Sequence, residues 1–358
     1  MNFVLLAVFI FVASSAFGDA AGDYIDSAMT EIQQRDLKGA INDCDKAITA
    51  KPDDADAYAL RSTIKNRMGD TNAALADCNM AIKLKPDDAL FYEMRGNLKQ
   101  AKPDLAGSLA DYNKAIELNP NNGNNYNFRA VTKVAIGDWN GAMDDYNKAL
   151  ELNPTDAHAH LGRAYLKMLK DDLDGALDDY DRAIRYSKLS SEVVETYWQR
   201  GWVKKMKGDF DGAIDDYTTV VDLNPKYVGA YMCRALAKAA KGDLNSAMDD
   251  CNEAMELKPD DAVFYMGRGQ VKQIKGDLEG ALTDLNKSIE LKTNLAPAYF
   301  NLGLVKQAKG DTNGAQADLK KADELEKGML EPIGAKGFLM SGYFTNNDWF
   351  YNERNNFN

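Results

Sequence analysis

Histidine is scarce in this sequence, which contains only His158 and His160 among its 358 residues. Because the two are separated by one residue, they point to different faces of a helix and do not form the i,i+4 pair that binds a metal ion. No nucleophile elbow, P-loop or zinc-ligand cluster is present, and the carboxylates are spread along the chain. We therefore expect neither enzyme activity nor a cofactor.

Basic residues are also in deficit, since 43 Lys and Arg stand against 55 Asp and Glu, a formal net charge of -12. A surface of this sign repels a phosphate backbone over most of its area. We therefore expect no nucleic-acid partner.

The apolar run from Val4 to Val12 is shorter than the roughly 20 residues that span a bilayer. Small residues follow it up to Gly18, which is typical of a secretory signal peptide covering residues 1–18. Cleavage is expected after Gly18, with Ala20 as the alternative site and an uncleaved anchor as the alternative interpretation. The protein is then exported to the periplasm, the medium or a secretory-pathway lumen, with no membrane contact after cleavage.

A stretch spanning residues 137–154 recurs in variant form along nearly the whole chain. The prolines that close four of its copies lie 34 residues apart, a period typical of stacked supersecondary units that bury apolar surface between neighbours. Counting back from the closing positions gives nine repeats, numbered here one to nine: 21–54, 55–88, 89–122, 123–156, 157–193, 194–227, 228–261, 262–295 and 296–329. The fifth is three residues longer, and we expect the extra residues to form a longer loop at 186–191.

Each repeat predicts two helices of about a dozen residues around a break such as Gly137-Asp138. Glycine permits the positive φ that ends the first helix, and the Asp can cap the second. Small residues such as Gly96 and Ala142 recur where the two helices approach. We expect tyrosines on the first helix, such as Tyr92, to fill the complementary space.

The order aromatic, small, Gly-Asp, Ala, aromatic, Ala, Pro on this period resembles the tetratricopeptide repeat family over residues 21–329. The resemblance implies an all-α fold, a right-handed α-solenoid of tandem helix-turn-helix repeats in which the first helices line a concave face. It also implies binding of a protein or peptide. The expected organisation is a signal peptide at 1–18, the nine-repeat domain at 21–329 and an aromatic C-terminal tail at 330–358.

Two rows of basic residues depart from the family pattern. Repeats two to eight carry an Arg where the family often has Leu. We predict that these residues pair with the Asp on the second helices, within or between neighbouring repeats, in a ladder of ion pairs along the array, with an anionic-ligand track as the alternative. Repeats two to nine carry a Lys one turn later, which we expect to cover the hairpin turn, with attraction of an acidic partner as the alternative. The Arg row consists of Arg61, Arg95, Arg129, Arg163, Arg200, Arg234 and Arg268. The Asp residues on the second helices are Asp43, Asp77, Asp111, Asp145, Asp179, Asp216, Asp250, Asp284 and Asp318. The Lys row consists of Lys65, Lys99, Lys133, Lys167, Lys204, Lys238, Lys272 and Lys306.

The four cysteines are too few for a disulfide framework. Cys44, Cys78 and Cys251 occupy a repeat position that is Tyr in other repeats, and we expect them to fill the core. The one pair considered for a disulfide is Cys233 with Cys251. His160 stands where other repeats have Tyr and is expected to be a packing residue.

The resemblance places ligand contacts on the first helix, one turn before and after the small position. In the later repeats these positions are apolar and aromatic, which suits an amphipathic helix or an extended apolar peptide. The predicted partner-binding residues are Leu161, Tyr165, Met168, Trp198, Trp202, Met206, Met232, Leu236, Met266 and Phe300, with Leu169, Gln270, Ile274 and Leu304 lining the same positions. The alternative is that some of these side chains pack against the neighbouring first helix.

The corresponding residues of repeats two to four are more polar: Ala59, Thr63, Asn66, Glu93, Asn97, Gln100 and Asn127. The family's clamp for acidic C-terminal tails uses Lys at these positions. Because Lys is missing at Ala59, Glu93, Asn127, Leu161 and Trp198, that class of ligand is not expected.

The tail leaves the repeat pattern and is rich in aromatic residues. We expect it to cap the last repeat, with folding into the apolar groove or docking on another protein as alternatives. The sequence as a whole predicts an exported scaffold that binds a protein or peptide without catalysis. The alternative function is a holdase-like chaperone that binds unfolded apolar segments.

Overall fold

A computed structural model describes residues 20–327, and the predicted signal peptide and C-terminal tail lie outside this range. Within it the chain forms eighteen α-helices and no β-strand. In chain order they are α1 Ala20–Gln33, α2 Leu37–Ala50, α3 Ala55–Arg67, α4 Thr71–Leu84, α5 Ala89–Ala101, α6 Leu105–Leu118, α7 Gly123–Ala135, α8 Trp139–Leu152, α9 Ala157–Leu169, α10 Leu173–Tyr186, α11 Ser190–Met206, α12 Phe210–Leu223, α13 Val228–Ala240, α14 Leu244–Leu257, α15 Ala262–Lys275, α16 Leu278–Leu291, α17 Ala296–Ala308 and α18 Thr312–Lys327. Each of the nine repeats thus contributes two helices, and none of the eighteen is long and apolar enough to cross a membrane.

The described residues divide into an N-terminal unit that ends at residue 163 and a C-terminal unit that begins at residue 164. Inside each unit the two helices of a repeat pack against each other, and the second helix packs against the first helix of the next repeat. In the C-terminal unit the first helices α11, α13, α15 and α17 also contact one another in succession. The prediction of an all-α repeat solenoid is confirmed.

The turn between the two helices has the predicted chemistry. Gly137 has a φ of 82°, which ends α7, and the Asp138 carboxylate accepts a hydrogen bond from the Gly141 backbone N–H at 2.9 Å, which caps α8. The same Asp cap closes the other hairpins, but the positive-φ position is taken by Arg35, Pro103 and Asp171 in the first, third and fifth repeats, with a φ of 64° at Arg35. A non-glycine residue at that position carries a steric cost.

The ring that fills the space between the two helices is on the second helix. Tyr112 is fully buried, and a Cβ added at Gly96 on α5 would lie 3.0 Å from its ring. The first-helix Tyr92 instead lies across the Arg95 guanidinium, 5.6 Å from ring centroid to Cζ, and donates its hydroxyl hydrogen bond to the Pro86 carbonyl at 3.0 Å. The expectation that Tyr92 and its equivalents fill the gap was therefore wrong, because the small position faces the second helix.

The three extra residues of the fifth repeat do not lengthen a loop. Only three residues separate α10 from α11, and α11 has 17 residues where most first helices have 13. The insertion therefore adds a turn to the N-terminus of α11.

All four cysteines are buried and free, so Cys233 and Cys251 are not bridged. Burial raises the pKa of the Cys44 thiol to about 12 and that of Cys78 to about 11. The prediction that Cys44, Cys78 and Cys251 fill the core is confirmed. His160 is buried too, and its Nε2 lies 3.0 Å from the Pro154 carbonyl oxygen, the contact that the Tyr92 hydroxyl makes in its own repeat.

Candidate protein-binding face

The regular spacing of the charged rows places the same three-residue cluster in most repeats. In the fourth repeat the Arg129 guanidinium donates two hydrogen bonds to Asp145, at 2.8 and 2.6 Å, and Lys133 Nζ lies 2.8 Å from the same carboxylate. The carboxylate is almost fully buried, whereas each cation keeps about a fifth of its side chain exposed. A buried charge needs such partners, and the two cations provide them.

The Arg also links neighbouring repeats through its remaining nitrogen. Nη1 of Arg61 donates to Asp45 at 2.6 Å, and Nη1 of Arg95 donates to Asn79 at 2.8 Å, in each case on the second helix of the preceding repeat. The predicted ion pairs are therefore present within repeats. Between repeats the contact is an ion pair at Arg61 and Arg200 and a hydrogen bond to a neutral side chain at other repeats.

Since the Asp of most repeats engages the Arg and Lys of its own hairpin, both rows have a structural role. The end repeats lack the Arg, and there Asp43 pairs with Lys46 and Asp318 with Lys306.

The predicted partner-binding residues separate into buried and exposed sets. Met168, Trp198, Trp202, Met232 and Met266 are buried. Leu161, in the N-terminal unit, and Leu236 are half-buried, and Tyr165, Met206 and Phe300 are exposed. Of the predicted residues, mainly the exposed set is accessible at the surface.

The buried set is covered by the following repeat. Trp198, Met232 and Met266 occupy equivalent positions, and Met266 packs in one cluster with Leu302 and Val305 of the next first helix. The Trp198 ring lies 6.1 Å from the ring of Tyr227, which precedes α13. For these residues the alternative of packing against the neighbouring repeat describes the contacts.

Phe300 is the exception at this repeat position, because no further repeat follows it within the described residues. It is 49% exposed although its equivalent Met266 is fully buried. Tyr165, Met206 and Ile274 are 37%, 42% and 56% exposed, at positions four or eight residues further along their own first helices. Such spacing keeps a side chain on the same helix face.

We call the surface formed by Tyr165, Met206, Leu236, Ile274 and Phe300 the apolar first-helix face. It belongs to the C-terminal unit, and the contacts among α11, α13, α15 and α17 bring Met206, Leu236, Ile274 and Phe300 side by side. Tyr165 lies on α9, at the position that Leu236 holds on α13. Single exposed apolar residues are normal on any protein, but large ones repeated at related positions of successive helices are typical of a docking surface.

One cation lies at this face. Lys205 Nζ sits 4.1 Å from the ring centroid of Trp202, and burial lowers the pKa of the Lys205 ammonium. Lys205 was not among the predicted residues. Its signal in the sequence was a Lys three residues after Trp202, at the position that Met168 holds in the preceding repeat.

The N-terminal unit presents polar groups at the corresponding positions. Glu93 is 7% exposed and accepts a hydrogen bond from the Asn122 side chain at 3.2 Å, while Asn97 accepts one from the Tyr112 hydroxyl at 2.6 Å. Burial raises the pKa of the Glu93 carboxyl to about 7, and the Asn122 hydrogen bond opposes part of that rise. Each of these polar side chains is thus held by a hydrogen bond inside the protein. Part of the polar row predicted for this unit is therefore buried and does not face a partner.

A metal-dependent site finds no support between residues 20 and 327, where no three His, Cys, Asp or Glu side chains are grouped to hold an ion. The two histidines lie in different environments, since His160 is buried and His158 is exposed.

Family models match much of the chain. A model described as TPR repeat matches residues 132–171 and 274–310, and models described as Tetratricopeptide repeat match 200–262 and, separately, 55–88 and 296–328. Together these matches cover more than half of the sequence. No match was found among curated proteins.

Solved structures show the same architecture. The Cut9-Hcn1 hetero-tetramer of the APC/C aligns over 87% of this chain and 60% of that one, with 16% identity and a TM-score of 0.53. Pseudomonas aeruginosa pilF aligns over 57% of this chain and 92% of that one, with 17% identity and a TM-score of 0.52. YrrB, a TPR protein with an unusual peptide-binding site, aligns over 52% and 95% with 24% identity and a TM-score of 0.45. At the identities of the first two structures the likeness concerns the fold.

Proposed function

The chain belongs to the tetratricopeptide repeat family, and from that premise we propose that it is an exported scaffold that binds a protein or peptide on the apolar first-helix face. Proteins of this family generally act as non-catalytic interaction scaffolds. The proposal assigns the protein no reaction of its own and neither nucleic acid nor membrane as a partner.

The observation that carries the proposal is the exposure of Tyr165, Met206, Ile274 and Phe300. These positions accept polar residues, since α15 carries Gln270 where α9 carries Tyr165. Aromatic and Met side chains supply much of the affinity at protein interfaces, and an amphipathic helix or extended apolar segment would cover them. The partner is therefore expected to present an apolar stripe.

Export is supported by the sequence alone. The apolar run Val4–Val12 and the small residues before Gly18 have the order of a signal peptide. Mass spectrometry of the mature protein should find an N-terminus at Asp19. A mature protein that retains residues 1–18 would contradict export by cleavage.

The binding test should use exposed residues, because a Trp→Ala change at a buried position costs about 3–5 kcal/mol and confounds folding with binding. We would compare Met206→Glu and Phe300→Glu with the matched control Leu223→Glu, in which an apolar residue that is 51% exposed at the end of a second helix is changed. One stoichiometric partner recovered from the native exported fraction, and lost only in the first two variants, supports the scaffold.

Two other outcomes would not support the scaffold. Many unrelated proteins lost together from both first-helix variants would favour the holdase-like chaperone. Equal recovery by all variants would place partner binding on another surface and contradict the proposal.

A further inference from the structure

The last helix among residues 20–327, α18, has polar residues on its outer surface where the equivalent second helices have apolar ones. On α16, Leu282 and Ile289 pack against the cluster formed with the first helix of the following repeat. Their equivalents on α18 are Gln316 and Asp323, which are exposed. A terminal repeat of a solenoid requires such a polar outer surface, and α18 already provides it. The outer surface of α18 can therefore remain in contact with water without being covered by another segment.

The first helix of the same repeat, α17, does not have a polar outer surface. Phe300 on α17 stands half exposed at a position that the next repeat covers elsewhere, and Ile274 on α15 is more exposed still. The unpartnered apolar surface at this end of the C-terminal unit is thus on first helices, and α17 packs directly against α18, from which the chain continues.

The segment 330–358 has the composition to cover that surface. It contains seven aromatic residues, namely Phe338, Tyr343, Phe344, Trp349, Phe350, Tyr351 and Phe357. Its charged residues are Glu331, Lys336, Asp348, Glu353 and Arg354. Segments that stay in water are poor in aromatic residues, so this density favours burial against apolar surface.

The segment is also long enough. Twenty-nine residues reach about 90 Å when extended, whereas packed helices lie about 10 Å apart, so the path from α18 across α17, α15 and α13 to α11 is well within range. Tethering provides an effective concentration of about 1 mM, so an intrinsic dissociation constant of about 0.1 mM would keep the surface roughly 90% occupied.

We propose that residues 330–358 dock on the apolar first-helix face of their own chain, covering Phe300 and Ile274 with aromatic side chains, and that they compete there with the protein partner. The proposal rests on the function proposed above for this face. With the occupancy just given, the segment weakens the apparent affinity of the partner about tenfold, so its release is a means of regulating binding.

The test is photo-crosslinking in the purified full chain, with p-benzoylphenylalanine in place of Phe300 and, as a matched control, in place of Leu223. Mass spectrometry after irradiation should find position 300 joined to peptides within 338–351, and position 223 not joined to them. Mixing isotopically light and heavy chains should show the joined peptides coming from one chain. The triple change Trp349→Ser, Phe350→Ser and Tyr351→Ser should remove the crosslink.

Three results would overturn the proposal: no crosslink from position 300 to the segment, an equal crosslink from position 223, or a crosslink only between chains. Irradiation with the co-purified partner present separates the two proposals. A crosslink from position 300 to the partner without one to the segment defeats only self-docking, and a crosslink to the segment without one to the partner defeats only the binding function.

Discussion

Arg129 holds Asp145 through two hydrogen bonds, Nε to Oδ2 at 2.8 Å and Nη2 to Oδ1 at 2.6 Å, and Asp145 is buried between the two helices of its hairpin. The same pairing recurs from Arg61–Asp77 to Arg268–Asp284. A bidentate Arg–carboxylate pair fixes geometry as well as charge. The pairing therefore fixes how the two helices of a repeat are aligned. The Arg129 Nη1 hydrogen bond to Asn113 also fixes the position of the preceding repeat.

Asp145→Ala should lower the free energy of unfolding by about 3 kcal/mol or more, because it leaves the partly buried Arg129 and Lys133 without their carboxylate. The neighbouring Asp144 is exposed, and Asp144→Ala should change the free energy by less than about 0.5 kcal/mol. Urea titration followed by circular dichroism measures both. Similar effects at the two positions would contradict the role assigned to the pair.

The left-handed turn residue of the first repeat should be open to improvement. Arg35→Gly relieves a φ of 64° that costs a non-glycine residue about 1–2 kcal/mol, part of which is offset by the chain entropy of glycine. The reciprocal Gly69→Arg, at the equivalent position with a φ of 86°, should destabilise. Thermal unfolding should show a higher midpoint for the first variant and a lower one for the second. A lower midpoint for both would mean that Arg35 makes a stabilising contact.

Glu93 should make stability depend on pH. Its carboxyl pKa is raised by burial from 4.5 to about 7, so the folded state favours the protonated form. The contribution of Glu93 protonation to the free energy of unfolding is fully present below pH 4.5 and is lost as the pH rises through 7. This contribution amounts to about 3 kcal/mol. Glu93→Gln should therefore raise the free energy of unfolding at pH 8 and leave it nearly unchanged at pH 4.5.

The control for that measurement is Glu117→Gln, whose side chain is 67% exposed and pairs with Lys114. It should show no gain at pH 8. If Glu93→Gln gave the same change at both pH values, the gain would come from packing and not from the titration of Glu93.

The buried cysteines should resist thiol reagents in the folded protein. Burial raises the pKa of the Cys251 thiol to about 12, and Cys44 behaves alike, so little thiolate is present at pH 8 and access is blocked. Reaction with a colorimetric disulfide reagent should be slow until denaturant is added, when four thiols per chain react. A fast phase in the folded protein would show that one of the four is accessible.

The sequence predicted the repeats, the helix pairs and the Gly-Asp turns because each depends on local chemistry that recurs every 34 residues. It did not separate Met266 from Phe300, since the two occupy the same repeat position and differ in whether another repeat follows within the part of the chain that the structure describes. It also assigned the gap-filling ring to Tyr92, because periodicity does not tell which of two helices supplies the side chain that enters the gap. The second cation on each buried Asp was missed for a related reason: Lys133 reaches Asp145 only after the hairpin has formed.

The central claim is that the apolar first-helix face binds the partner, and it is tested most directly by titration calorimetry of the purified protein with its co-purified partner. Phe300→Glu and Met206→Glu should each weaken the affinity by at least about tenfold, or roughly 1.4 kcal/mol, and Leu223→Glu should change it by less than about twofold. Equal affinities for all three variants, or a loss confined to Leu223→Glu, would contradict the account.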